Sequence, residues 1–367
     1  MPLPNRRLSN CWLLLMIIFN TDNSMMKQPK KIFLFVLCSL ILLLGVVGQA
    51  QAIQLKIAAI TPDGSTWMEK LKEGAEEIKQ KTYGRVTFKF YPGGVMGEDK
   101  TVLRKMKIGQ LHGGVFSNGT INNIYPGSQV YNQVLKFNSY DEIDYIRPKI
   151  DPLIINGLKN NGLTTLGLSE LGFAYLMSME PITSVEDLQK QKAWVPENNE
   201  AAAEALNAFS VVPTPLPIRD VLVALQTGMI NVVAGSPVGA ITLQWHTKIR
   251  YVTDLPIAYV YGAIVVSNSA MKKISPEDQL VVKEVMGRVT HELDVLTRKD
   301  NIAAIEAIKN QGVQWIKPGA ETISNLKSMI NSANDKLMKA KNMDQEIVNK
   351  LDQYLTEFRT NKIAIKK

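Results

Sequence analysis

Cysteine is scarce in this chain and badly placed for chemistry. The only two, Cys11 and Cys38, lie in the first 52 residues. If those residues form a cleaved leader, the remaining chain has no disulfide, no thiol nucleophile and no Cys-zinc site. Histidine is nearly as rare. His112, His246 and His291 stand far apart, with no pair at metal-ligand spacing. No G-x-S-x-G elbow, H-E-x-x-H, Walker loop or dinucleotide glycine fingerprint occurs, and Gly93-Gly94-Val95-Met96-Gly97 reads as turn chemistry. No carboxylates form a tight constellation. An enzyme therefore lacks its residues, and no cofactor or metal is expected. No basic cluster interleaved with aromatics marks a nucleic-acid face, so no nucleic-acid partner is expected either.

The front of the chain explains part of its apparent basicity. Met25 to Lys31 is a short basic segment, residues 32–47 are an unbroken apolar run, and Ala50-Gln51-Ala52 is a small-residue cleavage site. This is the pattern of a secretory signal peptide cut after Ala52, with an apolar run shorter than a typical membrane span. An uncleaved anchor is the alternative. Residues 1–24 carry a second short apolar stretch behind Arg6-Arg7, simplest as an upstream start-site artefact, with a twin-arginine signal as the weaker option. The leader holds five of the 42 Lys/Arg and one of the 34 Asp/Glu, so the net charge falls from +8 to (42−5)−(34−1) = +4. The 315 residues that remain are long for one compact domain and comfortable for two.

Those residues alternate. Residues 54–60 read as a strand, Ser65 caps a helix with Trp67, Leu71, Ala75 and Ile78 on one face, 86–91 alternate as a strand, 98–108 form a helix and 111–116 a third strand. A second alternation follows: strands at 165–169, 193–195 and 229–235, and helices at 185–191, 197–209 and 219–227, the second of them with an alanine-rich face. Two such runs predict two doubly wound α/β lobes. Ser275-Pro276-Glu277-Asp278 opens a helix expected to run to Lys309, closed by Gly312. At 1.5 Å per residue it would span roughly 50 Å, enough to cross both lobes, unless it breaks near Asp300-Asn301. Amphipathic segments 323–337 and 344–358 finish the chain. The expected division is 53–171 with 260–299 for lobe I and 172–259 with 300–367 for lobe II, joined by crossover strands and the long helix.

Several segments in succession resemble the DctP-type solute-binding subunit of TRAP (tripartite ATP-independent periplasmic) transporters. They are Tyr91-Pro-Gly-Gly-Val-Met-Gly-Glu-Asp-Lys100 with Met106-Lys-Ile-Gly-Gln110, Glu180-Pro-Ile-Thr-Ser-Val-Glu-Asp-Leu188, Val212-Pro-Thr-Pro-Leu-Pro217 with Leu222-Val-Ala-Leu-Gln-Thr-Gly228, and Ser275-Pro-Glu-Asp-Gln279. The resemblance implies a periplasmic receptor that closes two lobes on a small molecule, and a monomer is expected. It also implies delivery to a permease of large and small membrane subunits, driven by an ion gradient.

It further implies a carboxylate ligand held by an arginine, and here this chain departs. The strand expected to carry the arginine reads Lys192-Ala193-Trp194-Val195, with Trp194 in its place. A second arginine position falls near Phe173, Ala174 and Tyr175, and the family's Asp in the Ala-Leu-Gln-Thr-Gly motif is Asn231. Three readings stay open: Trp194, Phe173 and Tyr175 line a pocket for an uncharged or apolar ligand; Arg219 or Lys248 replaces the lost cation; or Trp194 is plain core. Ligands of open parallel sheets sit beyond the strands' carboxyl ends, which nominates Thr61, Asp63, Trp67, Ser117, Asn118, Gly235 and Ser236. Tyr259 and Tyr261, near the return crossover, face either cleft or core.

Overall fold

The computed structural model describes residues 52–365, apart from 198, 341, 342 and 344. The expected leader lies outside the described residues except for Ala52, as do both cysteines. In order the chain forms β1 (Ile53–Ala59), α1 (Thr66–Lys81), β2 (Val86–Tyr91), α2 (Asp99–Lys107), β3 (Gly113–Ser117), α3 (Asn118–Ile124), a 3-10 turn (Pro126–Asn132), α4 (Tyr140–Asn160) and β4 (Leu163–Ser178). Next come α5 (Val185–Gln189), β5 (Trp194–Pro196), α6 (Glu200–Ala208), β6 (Thr214–Leu216), α7 (Val221–Thr227), β7 (Val232–Gly235), α8 (Pro237–Thr242), β8 (Tyr251–Thr253) and β9 (Ala258–Ser267). α9 (Asn268–Met271), α10 (Pro276–Asn310), β10 (Gln314–Ile316), α11 (Ala320–Ala340) and α12 (Gln345–Ile365) complete it.

Two long strands join the lobes. β4 and β9 pair antiparallel from Leu163↔Ser267 to Ala174↔Ala258. The Ser267 end of β9 carries β3, β1 and β2 of lobe I, while the Ser178 end of β4 carries β7 and β8, with β10 beyond β8. β5 and β6 extend lobe II through a bridge from Ala193 to Val232. In β1, Leu55, Ile57 and Ala59 face one core with α1 and α10, while Ala58 faces another with α4. Strands buried on both faces need helices on both, which is the doubly wound arrangement.

β4 is far longer than the segment 165–169 the sequence suggested, because its breaks are bulges and not ends. The register shifts between Thr165 and Gly167 and again between Glu170 and Gly172. Gly172 sits at φ +94, and a Cβ there would lie 2.6 Å from Asn301 Nδ2 and 2.7 Å from the Tyr140 hydroxyl. Only glycine fits that bend.

α10 is one unbroken helix of 35 residues, with no break at Asp300. Ser275 accepts the Asp278 amide at 3.1 Å, and Arg85 grips the Asp278 carboxylate through two bonds of 2.9 and 2.7 Å. Val282, Val285, Val289 and Leu293 pack in the lobe I core, whereas Ile308 packs with Val252 and Trp245 in lobe II. Each of those buried side chains contributes about 1.5–3 kcal/mol. The helix thus belongs to both lobes.

α12 packs its Ile347, Val348, Leu351 and Leu355 against α4 in lobe I, while α11 packs on α6 in lobe II. An amphipathic pattern fixes which face is buried but not against which partner. α4 itself was missed, because Pro148 and Pro152 lie inside it and proline usually stops a helix.

Candidate functional site

A cavity of about 320 Å³ lies where the crossover meets lobe II. That is within the range of small-molecule sites, roughly 300–1,000 Å³. Lobe I contributes Ser117, Asn118, Asn132, Val134 and Leu135; the crossover contributes Leu171, Ala174, Ala258 and Val260. Lobe II supplies the rest, including Trp194, Trp245, Leu188 and Phe209. Among the described residues that line it, none is Asp, Glu, Lys, Arg or His.

Trp194 is 5% exposed, and it is both wall and core. Its Nε1–H donates to the Leu216 carbonyl at 3.0 Å, and its ring meets Trp245 edge-on with centroids 5.2 Å apart. The indole N–H is satisfied, so the ring offers the cavity only carbon. Trp245 can approach because position 235 is glycine, where a Cβ would lie 3.0 Å from the indole. The wall of α6 is made by Ala201, Ala202 and Ala205, whose short side chains leave the space open. Asn199 caps that helix, its Oδ1 accepting the Ala202 amide at 3.1 Å, and Ser236 caps α8 through the Gly239 amide at 3.3 Å.

Of the residues nominated from sequence, Trp194, Ala174, Ser117, Asn118, Gly235 and Ser236 come together on the cavity wall. The others lie elsewhere. Asp63 is exposed and pairs with Lys72 at 2.6 Å, a bond that holds its carboxyl below the usual range. Thr61 accepts the Gly93 amide through its carbonyl in the turn that follows β1. Trp67 donates to Thr297 at 3.2 Å beside the lobe I core. Asn231 binds the Lys192 amide at 2.7 Å and Gln191 at 2.9 Å, fastening the entrance of β5 to that of β7. Phe173 and Tyr259 face an aromatic core with Tyr131, Tyr140 and Tyr261, and Tyr175 meets Trp315 edge-on. Strand alternation explains the split: Ala174 faces the cavity, and its neighbours Phe173 and Tyr175 do not line it.

Neither candidate replacement cation lines the cavity. Lys248 is exposed, and Arg219 is 60% exposed, pairing with Glu98 of lobe I at 3.3 Å and with Asp220 at 3.9 Å. Burial raises the Glu98 pKa, and Arg219 opposes the rise. Burial likewise raises that of Asp99, against hydrogen bonds from Thr120 and Ser117. Asn132, Ala205, Phe209 and Trp245 were missed as wall residues. The alanine-rich face of α6 was the one visible hint.

Two α/β lobes joined by crossover strands, with a cavity of ligand size beside the crossover, define the class of a two-lobed binding protein. The chain belongs to the DctP family, bacterial extracellular solute-binding protein family 7, which matches residues 57–341. Members of this family bind solutes for transport and are not enzymes. The chain is similar to the C4-dicarboxylate-binding periplasmic protein DctP of Rhodobacter capsulatus, at 22% identity over 75% of this chain and 83% of the relative. It is similar to the sialic acid-binding periplasmic protein SiaP of Vibrio cholerae, at 21% over 74% and 84%. In fold it resembles a TRAP periplasmic solute-binding protein of Pseudomonas putida F1 solved with D-glucuronate: TM-score 0.72, 24% identity, 80% of this chain and 98% of that one.

Proposed function

We propose that this chain is the periplasmic receptor of a TRAP-type importer and that the molecule it carries is uncharged and largely apolar. The observation behind the ligand class is the absence of any ionisable side chain among the described residues of the cavity wall. A carboxylate moved from water into such a wall loses its hydration without gaining a charged partner, at a cost of several kcal/mol. Trp194, in the position where the family's arginine is expected, presents only carbon. The three relatives named above carry acids in their names or their crystals; this reading departs from them on the wall's chemistry. Titration calorimetry against D-glucuronate, succinate and a medium-chain alcohol tests it. The alcohol should bind and the acids should not; tight binding of an acid, undiminished in Trp194→Ala, contradicts it.

The delivery role rests on family membership. The receptor, acting as a monomer, hands its ligand to a permease of large and small membrane subunits driven by an ion gradient. Receptor-dependent uptake should therefore collapse when the gradient is dissipated and survive depletion of ATP. The opposite result would point to an ATP-driven importer.

A further inference from the structure

We propose that the carried molecule has one neutral head group that both donates and accepts a hydrogen bond, seated on Asn118 and Asn132. Its remainder would be a hydrocarbon body against lobe II. The proposal rests on the apolar-ligand reading above and names the chemistry of the polar end.

Asn118 Nδ2 donates to Asn132 Oδ1 at 2.8 Å, and both residues line the cavity. Neither the second oxygen–nitrogen set, Asn118 Oδ1 and Asn132 Nδ2, finds a partner among the described residues, yet neither atom is sealed off. Asn132 is itself only 6% exposed. Both atoms open to the cavity, so a ligand that displaces their water must replace its hydrogen bonds, and the pair is placed to receive such a group. Turning both amides over changes which residue donates but not the outcome: one carbonyl and one NH2 group remain. A carboxylate only accepts, so it would satisfy the NH2 and face the free carbonyl with like partial charge. A hydrocarbon would satisfy neither. A hydroxyl or a primary amide satisfies both.

Several other polar side chains of the wall already use an oxygen within the protein. Ser184 and Asn199 use their oxygens to cap α5 and α6, Thr253 donates to the Ile182 carbonyl, and Ser117 donates to Asp99. The size follows from the cavity. At about 30 Å³ per water-sized group, 320 Å³ holds roughly ten non-hydrogen atoms.

The test compares four probes of about that size on the full chain: nonanamide, 1-nonanol, nonanoate and decane. Binding can be followed by tryptophan fluorescence, since Trp194 and Trp245 form part of the wall. The amide and the alcohol should bind at least about tenfold tighter than both nonanoate and decane, as one or two satisfied hydrogen bonds imply. Asn118→Leu should bring them down to the level of decane while decane itself binds unchanged. Asn118→Ala serves if that variant does not fold, with decane binding as the check on its fold. Nonanoate binding as tightly as nonanamide, or an unchanged amide preference in Asn118→Leu or Asn118→Ala, overturns the head-group proposal and leaves the apolar reading standing. Failure of all four probes alongside binding of D-glucuronate overturns both.

Discussion

Two buried regions of this molecule handle charge in opposite ways. Where β4, β9, α4 and α10 meet, Arg147 contacts Asp151 and Asp294, and Arg298 contacts Glu170 and Asp144. Tyr131 and Tyr259 add hydroxyl donors to Asp151 and Glu170, and burial pushes both phenols well above their usual pKa. The neighbouring cavity has no ionisable side chain in its described wall. The chain can evidently build a dense, fully paired ionic site. It places that site at the joint between the lobes and leaves the ligand side to carbon and neutral amides. A buried ion pair needs fixed partners, which packed strands and helices provide and a ligand that comes and goes does not.

The largest effect tests the ionic side. Asp294 accepts from Arg147, from Ser169 Oγ at 2.7 Å and from the Glu170 amide at 2.8 Å. Asp294→Ala should cost about 3–5 kcal/mol by urea denaturation, since it leaves Arg147 with Asp151 as its one close carboxylate and takes the acceptor from the Glu170 amide and the Ser169 hydroxyl. A loss under about 1 kcal/mol would mean the network is solvated and the contrast is false. On the apolar side, Ala205→Phe should fill the cavity and weaken any ligand about a hundredfold, about 2.7 kcal/mol. Its unfolding midpoint should move little, because the ring enters existing space.

The remaining two predictions sharpen where charge matters outside both regions. Arg85 holds the Asp278 carboxyl below its ordinary 3.8. A depressed carboxylate stabilises the fold above the unfolded value and loses that contribution as pH falls through the folded one. Stability should therefore drop as pH falls below about 4, and Asp278→Asn should flatten that part of the curve. The smallest effect belongs to Glu98 and Arg219, which meet across the cleft at the surface. Glu98→Gln should change stability by less than about 1 kcal/mol and reduce the salt dependence of ligand release.

Much of the fold was legible because its signals are local. Ser65 and Ser275 cap the helices they were expected to cap, and β2 has the bounds its alternation suggested. α4 and the full length of β4 were not, because prolines and bulges look like stops when only the chain is read. The site was half legible. Trp194, Ala174, Ser117, Asn118, Gly235 and Ser236 follow from strand ends and from the displaced arginine. Thr61, Asp63 and Trp67 follow from the same rule, yet they serve a turn, a surface pair and a core contact. Asn132 left no local trace, since its role depends on the 3-10 turn that brings it to Asn118.

The most direct test of the central claim is native mass spectrometry, with organic extraction, of the protein purified from its own host. The account predicts a bound neutral molecule of roughly ten non-hydrogen atoms with a single hydroxyl or amide. A hexuronate or dicarboxylate released in stoichiometric amount would contradict it.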